Sequence, residues 1–290
     1  MTTVALLGTG TMGTGMARRI AGAGLDLRVW NRSPESAQAL ADVATVESDP
    51  AKAVQGADVV LTMVWDVDSV VDVVHAASPG LVEGTVWLQT TTVGVEGARR
   101  LAELAGQHGL VFVDSPVLGT KQPAAQGQLV VLAAGPDEAQ ERARPIFDAI
   151  GQRTIWVGTE PGRASGLKLV VNGWLGTVVE GVAEALTATQ ALGLDPRLFL
   201  EAVKGGALDA PFVALKGGAM LEGSFDPTFT VAGAAKDAAL ALEAFTAAGL
   251  DFADMAVLAA ARAGLDRALA DGHGDLDVAA VYLSHRRSPA

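Results

Sequence analysis

Lys168 and Asn172 stand four residues apart in the stretch Gly166-Leu167-Lys168-Leu169-Val170-Val171-Asn172-Gly173. On a helix, that spacing puts both on one face. An ammonium beside an amide is equipped to pass a proton to a carbonyl oxygen, or to take one back, while the amide orients the reacting molecule. Apolar neighbours would desolvate the lysine and favour the neutral amine that the reverse direction needs. The same spacing also suits a lysine snorkelling out of a packed helix, so the pair alone leaves both readings open.

Other chemistries find less support. The chain contains no Cys, which removes disulfides, thiolate nucleophiles and Cys-held metals. His75, His108, His273 and His285 are scattered without ligand spacing, so no metal site is expected. Ser115 and Ser165 have no nearby His–acid partner for nucleophilic catalysis.

A second group of residues supplies what a lone proton donor lacks. Gly8-Thr9-Gly10-Thr11-Met12-Gly13 follows the apolar run Val4-Ala5-Leu6-Leu7 and opens a helix-like segment through Met16 to Ile20. That is G-x-G-x-x-G between a strand and a helix, the context in which it binds a dinucleotide. Gly8 permits the tight turn, Gly10 lets the backbone approach a pyrophosphate, and Gly13 lets helix and strand pack closely. The helix N-terminus offers its unpaired N–H groups to the phosphates. The next strand, Leu25 to Trp30, ends in Asn31-Arg32-Ser33-Pro34. An NAD site usually has an acidic residue here, which would repel a 2′-phosphate. Asn31, Arg32 and Ser33 instead offer donors around a cation, and a charge-assisted bond to phosphate contributes roughly 1.5–3 kcal/mol. The expected cofactor is NADP(H), a hydride carrier.

The elements that must position these groups follow in order. Ala57 to Val64 is a buried parallel strand by its continuous apolar character, with Met63 and Val64 at its cofactor-facing end. Thr85 to Gln89 is a strand ending in Thr90-Thr91-Thr92, and Leu110 to Asp114 is a strand followed by the loop Ser115 to Lys121. Helices separate them at Asp66 to His75 and Val95 to Gly106. Gln128 to Ala133 and Thr154 to Val157 read as further strands around a helix near Glu138 to Ile150. Such alternation means a doubly wound sheet with ligands at the carboxyl ends of its strands. Beyond Thr159-Glu160-Pro161-Gly162 the strand signal vanishes, and the rest reads as helices divided by Gly193, Pro196, Pro211, Pro227 and Gly249. The fold class is therefore α/β: an N-terminal Rossmann-type domain over 1–161 and an all-α domain over 162–290, joined by a long interdomain helix at 162–192.

The totals bound the partners. A length of 290 residues suits two domains, and a net charge of -12 argues against nucleic acid or an anionic membrane surface. The apolar stretch Leu167 to Leu194 is interrupted by Lys168, Asn172, Glu180 and Glu184. Its longest charge-free part falls short of the roughly 20 residues that span a bilayer. No secretory signal is visible, so the expected setting is the cytoplasm. The long apolar helix and the Ala-rich helices after it offer more nonpolar surface than a small domain can hide, so a homo-oligomer is expected.

Taken together, these motifs resemble the β-hydroxyacid dehydrogenases, the family of 3-hydroxyisobutyrate dehydrogenase, tartronate semialdehyde reductase and the glyoxylate/succinic semialdehyde reductases. The likeness covers nearly the whole length. It rests on GTGTMGTGMA, on Thr91-Thr92, on Asp114-Ser115-Pro116-Val117-Leu118-Gly119-Thr120, on Gly166-Leu167-Lys168 with Asn172, and on Phe229 with Lys236-Asp237. The resemblance implies that Lys168 is the acid/base with Asn172 beside it. It implies that Ser115, Leu118, Gly119, Thr120 and Asp237 meet the substrate. It adds Thr92, Phe229 and Lys236 to the cofactor contacts, and it implies a homodimer or homotetramer. Lys121-Gln122-Pro123-Ala124 and the run Gly127 to Gly135 look most like the glyoxylate/succinic semialdehyde reductases, which are similar in favouring NADPH. The small-molecule substrate implied is a short aldehyde or oxo acid. One departure stands out: the family usually has Ser-Gly after Pro-Val, its hydroxyl binding the substrate carboxylate, and this chain has Leu118-Gly119-Thr120. Leu118 removes a donor, Thr120 can replace it, and a less polar carbonyl compound becomes an alternative substrate. Imine reduction is another alternative, although relatives of that kind commonly have Asp or Tyr where this chain has Lys168; a non-catalytic NADP-binding protein is the last, disfavoured by the intact Lys168 and Asn172 pair.

Overall fold

The computed structural model describes residues 2–285. The first strands and helices alternate as β1 (Thr3–Leu7), α1 (Thr11–Gly22), β2 (Asp26–Trp30), α2 (Pro34–Gln38), β3 (Thr45–Val46), α3 (Pro50–Val54), β4 (Val59–Thr62), α4 (Val67–Ala77), β5 (Val86–Gln89), α5 (Gly94–Gln107) and β6 (Val111–Asp114). The six strands form one parallel sheet in the order β3-β2-β1-β4-β5-β6. The strand order reverses between β1 and β4, the crevice where doubly wound sheets bind dinucleotides. Period-two alternation sorts the apolar residues of β1 onto both faces. Val4 and Leu6 join Met16, Ala17 and Ile20 of α1, while Ala5 and Leu7 join Val70, Val73 and Val74 of α4 on the other side. All of these are buried, and each large side chain so hidden contributes about 1.5–3 kcal/mol.

A second, three-stranded sheet follows: β7 (Val117–Leu118), α6 (Lys121–Gln126), β8 (Leu129–Ala133), α7 (Asp137–Ile150) and β9 (Gly151–Trp156). Here β7 runs antiparallel and β9 parallel to β8. The segment Ser115 to Lys121 is thus more than the loop its sequence suggests. Two residues are too few to show a strand period, so β7 is visible only through its pairing with β8.

The remainder is helical: α8 (Arg163–Ala191), α9 (Arg197–Val203), α10 (Pro211–Glu222), α11 (Val231–Ala247), α12 (Ala256–Ala270), a 3₁₀ turn (Val278–Ala280) and α13 (Val281–His285). The chain divides into two compact units, Met1–Lys168 and Leu169–Ala290, the division falling inside α8. By length and composition α8 could cross a bilayer, with a mean hydropathy of 1.3 over its most apolar window, but half of that window is buried within the protein. Trp174 is 66% exposed rather than part of this chain's core. In the helical unit a buried ion pair, Lys216 Nζ to Asp277 Oδ1 at 2.7 Å, ties α10 to the 3₁₀ turn. Asp277 also accepts from the Thr228 hydroxyl at 2.7 Å and the Ala279 amide at 3.0 Å.

Candidate active site

The glycine-rich turn leaves β1 at Gly8, whose φ of +110° lies in the left-handed region. A Cβ there would meet the Met63 carbonyl oxygen at 2.2 Å, and one on Gly13 would meet the Gly8 oxygen at 2.0 Å. Gly8 and Gly13 are therefore demanded by the protein's own packing. Gly10 differs, because a Cβ on it would meet nothing within 4 Å. Gly10 and Thr11 are exposed, Met12 is half-buried on the core, and Gly10 caps α1 without any side-chain hydrogen bond. The first turn of α1 thus presents backbone N–H groups to open space, an arrangement that fits a pyrophosphate.

Asn31 fixes this turn to the strand end beside it, and further side chains brace the ends of β4 and β5. Asn31 Oδ1 accepts from the Thr9 amide at 3.0 Å, and Asn31 Nδ2 donates to the Ser33 carbonyl at 3.0 Å. Asn31 is consequently a brace between β2 and the turn, its amide already engaged on both sides. Arg32 and Ser33 beside it are exposed, and the described residues provide no ion pair for Arg32. On the β4 side, the Thr91 hydroxyl accepts from the Val64 amide at 3.0 Å, and Thr90 Oγ1 donates to the Thr62 carbonyl at 2.7 Å. Gln89 closes a ring on the Thr91 backbone at 2.7 and 2.9 Å. Met63, Val64 and Thr92 are half-buried at these strand ends. Thr9 is buried, and its hydroxyl is an orphan polar atom within the turn.

The loop residues separate by role. Ser115 is fully buried, and its hydroxyl donates to the Gln89 carbonyl at 3.2 Å while its amide does so at 2.8 Å. That bonding makes it a tie between strand ends, with no outward hydroxyl. Leu118 packs on an apolar cluster of Val130, Leu132, Ala134 and Ala164 that also includes Leu167. Gly119 is exposed, and Thr120 precedes α6 without spending its hydroxyl on a cap.

Asp114, which ends β6, is a site residue that sequence reasoning treats only as part of a motif. It is wholly buried, and its Oδ2 accepts from the Gly162 amide at 3.0 Å and the Ser165 amide at 2.9 Å. Its Oδ1 accepts from the Ser165 hydroxyl at 2.7 Å. Burial pushes this carboxyl up from its ordinary value, against the pull of the Ser165 hydroxyl and the Ser165 and Gly162 amides. The carboxylate therefore caps the start of α8. Lys168 follows within that helix and is only 8% exposed.

In the helical unit, Asn172 is buried and its Nδ2 donates to Asp237 Oδ2 at 2.6 Å. Asp237 Oδ1 lies 2.8 Å from Lys236 Nζ, an ion-pair contact rather than an aligned hydrogen bond. The adjacent Lys236-Asp237 would ordinarily be a solvated pair; here Asp237 is buried and Lys236 partly so. Phe229 is half-buried before α11, where a Cβ on Gly233 would sit 3.1 Å from its ring.

A doubly wound sheet with an open, uncapped G-x-G-x-x-G turn at its reversal point defines the class of dinucleotide-binding oxidoreductases. Residues 3–158 match the family described as the NAD binding domain of 6-phosphogluconate dehydrogenase, and residues 162–284 match the NAD-binding family of NADP-dependent 3-hydroxyisobutyrate dehydrogenase. The chain is 32% identical over 283 residues to glyoxylate/succinic semialdehyde reductase 1 of Arabidopsis thaliana, covering 96% of both proteins. It is 33% identical over 243 residues to the chloroplastic reductase 2 of the same plant, covering 82% of this chain and 68% of that one. The solved structure of Mycobacterium tuberculosis 3-hydroxyisobutyrate dehydrogenase with L-serine aligns with a TM-score of 0.88 at 28% identity, over 99% of this chain and 100% of that one. The chain belongs to the NAD(P)-dependent β-hydroxyacid dehydrogenase family of the 3-hydroxyisobutyrate dehydrogenase type.

Proposed function

We propose that this enzyme reduces a short aldehyde or oxo acid, of the glyoxylate or semialdehyde class, to the hydroxy acid with NADPH. The observation that carries the reading is Lys168: an ammonium-bearing side chain buried in α8, one helical turn before the buried Asn172. A bound reduced nicotinamide supplies hydride to the carbonyl carbon. Lys168 donates the proton to the carbonyl oxygen, and in the oxidation direction takes it back. Asn172, its amide fixed by Asp237, orients the substrate. Gly8 to Gly13 would hold the pyrophosphate, and Met63, Val64 and Thr92 would border the nucleotide. Arg32 and Ser33 favour the 2′-phosphate of NADP. Gly119 and Thr120 bind the substrate's polar end.

Leu118 favours a second reading within the same chemistry. Its side chain belongs to an apolar cluster, so that position supplies no hydroxyl for a carboxylate. A carbonyl compound with a less polar far end is then the better substrate.

The purified enzyme assayed with glyoxylate, succinic semialdehyde, an uncharged aldehyde and a cyclic imine, each with NADPH and NADH, tests both readings. Turnover of the two acids with NADPH supports the first, and preference for the uncharged aldehyde supports the second. Turnover of the imine alone overturns both. The exposed Val170, Trp174 and Leu192 offer apolar surface to a second copy, and light scattering should give a dimer or tetramer.

A further inference from the structure

We infer that Asp114 is a positioning residue for Lys168, fastening the first turn of α8 to the strand end from which the substrate loop departs. The inference rests on the reading of Lys168 as the proton donor. Its own evidence is geometric. The Asp114 backbone is locked in both directions, its amide donating to the Ala134 carbonyl and its carbonyl accepting from the Ala134 amide, each at 2.9 Å. The next residue, Ser115, is tied to Gln89. From this fixed point the carboxylate takes three donors from the start of α8, at 2.7 to 3.0 Å.

Nothing in the reaction uses that carboxylate directly, yet burying one is costly unless its oxygens are satisfied. The molecule satisfies them with the two amides and one hydroxyl that open α8. A helix is stiff and rises about 1.5 Å per residue. Ser165 sits one turn before Lys168, so any shift of that first turn is carried to the ammonium. The same residue also sets where Ser115 to Thr120 begin. One buried carboxylate therefore registers the proton donor against the substrate loop. A neutral residue of the same shape would preserve this, because the amide oxygen of Asn can accept the two N–H bonds while the Ser165 hydroxyl turns to accept from its nitrogen.

The test is single-turnover hydride transfer with NADPH and its 4-deuterated form, each rate expressed per NADPH-binding site titrated by fluorescence. That normalisation removes any loss of folded enzyme, so a merely structural role leaves the rate constant unchanged. Asp114→Ala should slow the step on the order of 100-fold, the effect of about 1 Å of misplacement. Ser165→Ala, which keeps the backbone bonds and should fold even where Asp114→Ala does not, should slow it about tenfold, and Asp114→Asn should recover most of the rate, because a positioned geometry outweighs the charge. Wild-type rates per site in Ser165→Ala, or an Asp114→Asn variant as slow as Asp114→Ala, would overturn the inference. Lys168→Ala run in parallel separates the two claims. If it is inactive while Ser165→Ala is unaffected, only the positioning role fails; if it keeps the wild-type rate, both fail.

Discussion

The backbone amide of Thr9 donates to Asn31 Oδ1 at 3.0 Å, tying the glycine-rich turn to the end of β2. This separates two neighbours that look alike in sequence. Asn31→Ala should weaken NADPH and NADH together, about tenfold each, since leaving the turn's partly buried amide without its acceptor costs about 1–3 kcal/mol. Arg32→Ala should weaken NADPH alone by a similar factor, and Arg32→Asp should reverse the preference. Fluorescence titration with both nucleotides checks this; an equal effect of Arg32→Asp on both would remove the 2′-phosphate assignment.

Two glycines of the turn, Gly13 and Gly10, should respond differently to a methyl group. Gly13→Ala forces a contact of 2.0 Å with the Gly8 oxygen and should destabilise the unit whether or not nucleotide is present. Gly10→Ala meets nothing within 4 Å, so its melting temperature should stay close to wild type while NADPH binding is lost. Thermal melts with and without NADPH read both outcomes. A Gly10→Ala variant that binds NADPH normally would move the pyrophosphate elsewhere.

Two buried carboxyls should give stability opposite dependences on pH. Burial pushes Asp277 up, but Lys216, the Ala279 amide and Thr228 outweigh it and hold the carboxyl below its ordinary value. Its contribution is present above the unfolded value of about 3.9 and is lost as pH falls through the lower folded value. Asp114 is raised, so its contribution is present below about 3.9 and is lost as pH rises through the higher folded value. Denaturation of wild type against Asp277→Asn and Asp114→Asn across the acid range should show differences of opposite slope. Parallel slopes would contradict the assignment.

Much of this was legible in the sequence because the signals are local. The strand–turn–helix at Gly8 to Gly13, the alternation through Asp114 and the wholly helical second half follow from periodicity and turn residues over short spans. What stayed hidden is held by distant partners. Asp114 and Ser165 are 51 residues apart, and Asn172 and Asp237 are 65 apart. No local pattern distinguishes a buried Asp237 from a solvated one. Asn31 shows the converse: its type and place marked it as a ligand donor, and only its bonds to Thr9 and Ser33 reveal a brace. His285, one of four histidines scattered along the sequence, has its Nε2 2.8 Å from Glu180 Oε1 in the helical unit, another pairing that no local pattern announces.

The account turns on Lys168 as the group that delivers the proton. The most direct measurement is the single-turnover rate of NADPH oxidation by glyoxylate or succinic semialdehyde in Lys168→Ala, beside its NADPH dissociation constant. We expect the rate to fall by a factor within the roughly 10²–10⁴ that general acid catalysis supplies, with nucleotide affinity kept within a few-fold. A variant that transfers hydride at the wild-type rate would contradict it.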